Sequence, residues 1–135
     1  MAERRKIQMG TLNQSNPTTF GASLPAGTPA SRPCTVFGEM ALRYDVLVSA
    51  ATVATGVTLT LQQSPGPDHT GNTPIWTNIK SVSVNSTASD EYYTITVQED
   101  VTGDQAYLPL AEMTRLVIQT GAGDSVTINR VTSLS

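Results

Sequence analysis

The chain has 135 residues, the length of a single domain, of which 39% are hydrophobic and only 14% charged, against about a quarter in an ordinary soluble protein. One Cys and one His exclude an internal disulfide framework and a Cys-based zinc site, and they leave little for a His-centred metal site. The net charge of −3 is uneven: residues 1–38 hold Arg4, Arg5, Lys6 and Arg32 against Glu3 (net +3), and residues 39–135 hold four cations against ten carboxylates (net −6).

Thr and Ser, 20 and 12 residues, dominate the polar composition, which suits the neutral solvated faces of β-strands better than helix surfaces. No stretch approaches the roughly 18 consecutive apolar residues of a membrane-spanning helix. The basic start is followed by Ile7-Gln8-Met9-Gly10-Thr11-Leu12-Asn13-Gln14, which is no apolar leader core. The expectation is a protein made in a cytosol, with Asn13-Gln14-Ser15 and Asn85-Ser86-Thr87 as chance glycosylation sequons.

In chain order, residues 1–38 come first as an extended N-terminal arm. Pro17, Pro25, Pro29 and Pro33 lie among small residues, and Ile7, Met9, Leu12, Phe20, Leu24, Val36 and Phe37 follow neither a helical nor a strand period. Such a segment buries too little surface alone to offset its chain entropy. It becomes ordered by lying against something, with Leu12, Phe20 and Leu24 as anchors in pockets of a neighbour and Arg4, Arg5 and Lys6 as its charged contacts.

Residues 39–135 read as one β-sandwich domain. Thr35-Val36-Phe37 is a candidate short strand. From Leu42 to Ala50, Leu42, Tyr44, Val46, Val48 and Ala50 share one face, with Arg43, Asp45 and Ser49 on the other. Val57, Leu59 and Leu61 alternate with Thr58, Thr60 and Gln62. Residues 64–74 form a long loop rich in turn formers. Trp76 to Val84 is a strand in which Ile79 falls out of phase with Val82 and Val84, predicting a bulge near Lys80. Asn85 to Asp90 is a polar turn. Tyr93, Ile95 and Val97 alternate with Thr94, Thr96 and Gln98. Leu110 to Met113 is the one helix candidate. Leu116-Val117-Ile118 is a strand buried on both sides or an inner edge, joined through the hairpin Gly121-Ala122-Gly123-Asp124 to a strand carrying Val126 and Ile128. About seven or eight short strands over roughly a hundred residues predict an antiparallel β-sandwich or jelly roll.

Catalysis finds few candidates. His69, beside Asp68, and Cys34, between Pro33 and Thr35, have nothing in the sequence to bring them together. Asp90-Glu91 and Glu99-Asp100, with Asp104, sit beside predicted turns, and adjacent strand residues point to opposite faces, which separates them as paired acids. They lack the spacing of a calcium loop. Gly121-Ala122-Gly123 lacks the Lys and the helix of a phosphate loop. No catalytic, metal or cofactor residue is expected, and no enzyme. Three cations on an acidic body, with no series of stacking aromatics, do not make a nucleic-acid interface. Carbohydrate binding remains as an alternative, with Trp76, Tyr92 and Tyr107 as platforms; a shared exposed plane of Trp76 and Tyr92 would favour it.

The stretch Val57-Thr58-Leu59-Thr60-Leu61-Gln62-Gln63-Ser64-Pro65, then a loop, then Ile75-Trp76-Thr77-Asn78-Ile79, resembles a hairpin of tailed-bacteriophage head and tail structural proteins. By size and layout the chain is most similar to the capsid cement, or decoration, proteins of short-tailed phages, over residues 42–131. That resemblance implies a jelly-roll virion protein on the capsid surface that binds the major capsid protein and staples neighbouring copies, itself a dimer or trimer there, with no contact to nucleic acid or membrane. A phage tail or neck component is the alternative within the same class.

Overall fold

The structure, a computed structural model, describes residues 11–12, 18–31, 34–35, 41–64, 75–98 and 113–134. These form ten strand segments and no helix: β1 (Thr11–Leu12), β2 (Thr18–Phe20), β3 (Thr28–Pro29), β4 (Cys34–Thr35), β5 (Ala41–Thr52), β6 (Val57–Ser64), β7 (Thr77–Val84), β8 (Glu91–Gln98), β9 (Met113–Thr120) and β10 (Ser125–Leu134). β1 and β2 both pair with β10, at Val131–Thr132 and Val126–Ile128, so they share one edge position. β3 and β4 share the corresponding position along β9.

Ten segments therefore fill eight positions. The first sheet runs β1/β2-β10-β5-β8, the second runs β3/β4-β9-β6-β7, and every pairing is antiparallel. The first position pairs with the last, the second with the seventh, the third with the sixth and the fourth with the fifth. This nesting of strand pairs, folded into two sheets, is the jelly roll.

The core lies between the sheets. β5, β8 and β10 bury Tyr44, Val46, Val48, Tyr93, Ile95, Val126, Ile128 and Val131. β6, β7 and β9 bury Val57, Leu59, Leu61, Val84, Leu116 and Ile118 against them. Each such aliphatic side chain contributes roughly 1.5–3 kcal/mol by leaving water. The hydroxyls of the two core tyrosines are satisfied: Tyr44 shares a 2.9 Å hydrogen bond with the Thr114 hydroxyl, and Tyr93 accepts one from the Asn85 amide.

Bulges decide which side chains face out. Leu61 pairs with Lys80 and Gln62 with Asn78, so Ile79 is the extra residue on β7, where its broken phase predicts one. On β5, Ser49 is skipped, which turns Ala51 into the core and leaves Ala50 exposed, the reverse of strict alternation from Val48. On β10, Asn129 is skipped; without that bulge Arg130 would continue the inward phase of Val126 and Ile128, and with it Val131 turns in and Arg130 turns out.

The N-terminal segment departs most from expectation. Residues 18–31 and 34–35 are woven into the sandwich rather than forming an arm beside it. Phe20 and Leu24 pack on the core of their own chain, Ala30 is 1% exposed, and Ser31 accepts the Leu116 amide on its hydroxyl. Strands of two or three residues are too short to leave a period to read. The helix candidate ends in strand: Met113 opens β9, and residues 110–112 lie outside the described ones.

All four connections at one end are tied together. The carboxylate of Asp124, 1% exposed, accepts hydrogen bonds from the backbone amides of Ala54, Thr55, Gly56 and Gly121 at 2.6, 2.8, 3.0 and 2.7 Å. It thereby locks the β5–β6 turn to the β9–β10 hairpin. The turns approach closely: a Cβ on Gly121 would lie 2.7 Å from Thr55, and Gly123 has φ of +77°, so both positions need glycine. Residues 21–27 join through Ser23 N–H to Gly121 O, and residues 85–90 through the Val53 amide to Ser86 Oγ and the Ala51–Thr87 bridge. At the opposite end β4, β6 and β8 stop at Thr35, Ser64 and Gln98, before residues that lie outside the described ones.

The amide donors, that of Thr55 first, hold the Asp124 carboxyl at a pKa of about 2, below its ordinary 3.8, against the opposing effect of burial. A depressed pKa stabilises the fold fully above the unfolded value and ceases to do so as pH falls through the folded one. Asp124→Asn is therefore expected to melt at a lower temperature than the native chain at pH 7, and the gap should close between pH 3.8 and about 2. Thermal melts across that range check it; equal melting temperatures at pH 7 would contradict the clamp.

Candidate functional site

The two outer faces of the sandwich carry different chemistry. On the second sheet, β7, β6 and β9 bring Asn78, Gln62 and Arg115 into one cross-strand row, through the Gln62–Asn78 and Gln62–Arg115 registers. Arg115 Nε donates to Gln62 Oε1 at 2.9 Å, and Gln62 Nε2 donates to Asn78 Oδ1 at 2.8 Å. The Arg115 guanidinium lies over the Trp76 ring, 4.2 Å from its centroid, a cation–π contact on a half-buried ring. Partial burial lowers the Arg115 pKa, although a guanidinium remains charged at neutral pH. Ile75, next to Trp76, is exposed.

On the first sheet, the outward phase of β10, β5 and β8 forms successive rows. Arg130, Leu47 and Tyr92 make one, and Thr132, Asp45 and Thr94 the next. Arg130 Nη2 donates to the Tyr92 hydroxyl at 3.2 Å, across the strand that carries Leu47. Asp45 takes Arg43 on one oxygen, at 2.8 and 3.1 Å, and the Thr94 hydroxyl on the other. At the edge of this sheet, Lys80 Nζ reaches from β7 to the Thr96 carbonyl of β8 at 3.1 Å.

Of the residues singled out in the sequence, Arg4, Arg5 and Lys6 lie outside the described residues, as do His69, Glu99, Asp100, Asp104 and Tyr107. Leu12 pairs through its backbone with Val131, and Phe20 and Leu24 pack on the body. Cys34 lies in β4, paired with Thr114. Asp90 and Glu91 are exposed where β8 begins. Trp76 and Tyr92 belong to opposite outer faces, so they share no plane. Among the described residues no group of three or more His, Cys, Asp or Glu side chains is placed to hold a metal ion, and no helix is long and apolar enough to cross a membrane.

Two surface residues escaped sequence reasoning: Leu47 and Arg130. Leu47 sits in the polar phase of β5 between Asp45 and Ser49, and that interruption is its signal. Arg130 turns outward only through the Asn129 bulge, which nothing in the local sequence announces.

No family model matches this sequence, and no curated protein or solved structure matches it either.

Trp76 is the only tryptophan, so its fluorescence reports on the second face. Arg115→Ala removes the guanidinium from the ring, a contact worth about 0.5–1 kcal/mol at an exposed site. The expected outcome is a folded protein with red-shifted emission and stronger acrylamide quenching. Unchanged emission would show that Arg115 does not cover the ring.

Proposed function

We propose that this chain is a structural virion protein of a bacteriophage, a cement protein that binds the outside of the capsid and joins neighbouring major capsid proteins. The observation that carries the reading is the jelly roll itself, into which residues 18–31 and 34–35 are woven at the edges of both sheets. A basic segment holding Arg4, Arg5 and Lys6 precedes a sandwich with cross-linked connections at one end and outer faces rich in Thr, Ser, Asn and Gln. This is a rigid body with polar, hydrogen-bonding surfaces, preceded in sequence by a charged segment. Those are the parts needed to add contact area across a boundary between shell subunits.

Each contact in such a role is modest, and many copies engaged on one shell give avidity. The cations of the N-terminal segment would pair with carboxylates on the capsid exterior, an attraction that salt screens. The carbohydrate alternative lacks the shared plane of Trp76 and Tyr92 that would favour it, because the two face opposite ways and Arg115 occupies one face of the Trp76 ring.

Co-sedimentation with capsids from the source of the chain tests the proposal. The expected result is binding at a fixed ratio to the capsid protein, weakening as ionic strength rises from about 0.05 to 0.5 M. Removing residues 2–10 should weaken binding about tenfold while the melting curve stays unchanged, since an exposed ion pair contributes about 0.2–1 kcal/mol and three act together. A full chain that stays in the supernatant at low salt would contradict the proposal.

A further inference from the structure

We propose that Lys80 is a latch on the open edge of the first sheet, and that without it β8 pairs with β8 of a second copy of this chain. Among the described residues β8 pairs with β5 on one side and with no strand on the other. Such an edge presents a row of backbone donors and acceptors, a template for a further strand. β7, the last strand of the second sheet, runs beside it across the gap between the sheets. From there Lys80 Nζ donates to the Thr96 carbonyl at 3.1 Å. That contact puts the Thr96 carbonyl in the outward row, and the two-residue alternation of an antiparallel ladder adds Thr94 and Tyr92. The ammonium therefore occupies an acceptor that an incoming strand needs, and it puts a charge where that strand would lie.

The sequence of β8 names the occupant. Tyr92-Tyr93-Thr94-Ile95-Thr96-Val97-Gln98 has no charge, no proline and no glycine, and six of its seven residues are aromatic or β-branched. That is the composition of a segment that pairs with its own copies. Two such strands meeting antiparallel make a two-fold contact centred near Thr94, with the same residues on both sides. The other sheet edges are closed differently. β1 to β4 are two or three residues long, and Pro29 stands within β3. β7 carries the extra residue Ile79, and a bulge twists an edge away from regular pairing. β8 is eight residues long, and its described pairing with β5 is free of bulges, so among the described residues its own side chains do not guard it. The guard comes from the neighbouring strand, one residue after the bulge. This latch is independent of the capsid role, because it concerns an edge and not what the faces bind.

Sedimentation equilibrium of the full chain, from about 10 to 500 µM, reads the association. Lys80→Ala is expected to self-associate about tenfold more tightly than the native chain, the ratio that one hydrogen bond of ordinary net strength holds back. Lys80→Arg keeps a cationic donor and should behave as the native chain does. Adding Thr94→Lys to Lys80→Ala should reverse the gain, since two lysines would then face each other across the two-fold, while Asp45, opposite Thr94 on β5, accommodates the new cation within each copy. Amide exchange locates the contact: Thr94 and Thr96 should become protected as Lys80→Ala associates. If Lys80→Ala fails to fold, Lys80→Met keeps the aliphatic stem without the donor and carries the same expectations. A folded Lys80→Ala or Lys80→Met that associates no more than the native chain would overturn the latch. So would association that leaves Thr94 and Thr96 unprotected, or equal association by Lys80→Arg. Protection of Thr94 and Thr96 in an associated native chain would also overturn it, since the edge would then be open with Lys80 in place.

Discussion

One buried carboxylate organises this fold. Asp124 receives four backbone amides from two turns that are nearly 70 residues apart in the chain. Those turns join the third to the fourth and the seventh to the eighth strand positions of the jelly roll. The sheets can nest as strand pairs only if the turns meet, and the amides there have no strand partner to satisfy them. An ionised carboxylate with two oxygens accepts all four, and Gly121 supplies the space for the approach. Residues 21–27 attach to the same end through hydrogen bonds to Thr120 and Gly121, and residues 85–90 through hydrogen bonds to Ala51 and Val53, so the clamp anchors a set of four connections.

With one end fixed, the functional interest moves to the faces. The second sheet presents a satisfied polar row capped by a Trp–Arg stack. The first presents Tyr92 and Leu47, with Arg130 bonded to the Tyr92 hydroxyl and Arg43 paired to Asp45. The difference between them traces to bulges. The extra Ile79 shifts β7 so that Asn78, not Ile79, meets Gln62, and the skipped Asn129 turns Arg130 out towards Tyr92. Bulges re-aim side chains without disturbing the core, because each restores the inward phase on its far side. In the proposed cement role, a face set this way has the rigidity of the sheet beneath it, which a contact repeated around a shell requires.

The sandwich was legible in sequence wherever a strand was long enough to alternate. Tyr44, Val46 and Val48, then Val57, Leu59 and Leu61, then Val126 and Ile128 all face inward as their period predicts, and the β9–β10 hairpin lies at residues 121–124. Even the β7 bulge was legible through the phase of Ile79. The segment 18–35 was not, because its strands are two or three residues long and its buried positions, Ala30 and Ser31, are too small to signal a core. Asp124 read as a turn residue, since its role depends on amides nearly 70 residues away. The candidate site was legible only as exceptions: Leu47 and Tyr92 break the polar phase of their strands. Arg130 could not be placed, because a bulge set by cross-strand packing decides its direction.

The cement reading implies a location, and cryo-electron microscopy of particles from the source of the chain tests it most directly. The account predicts jelly-roll density on the outer surface of the shell, spanning the boundary between capsid subunits. Particles whose shells carry no such density, or that hold the chain in the neck or tail, would contradict it.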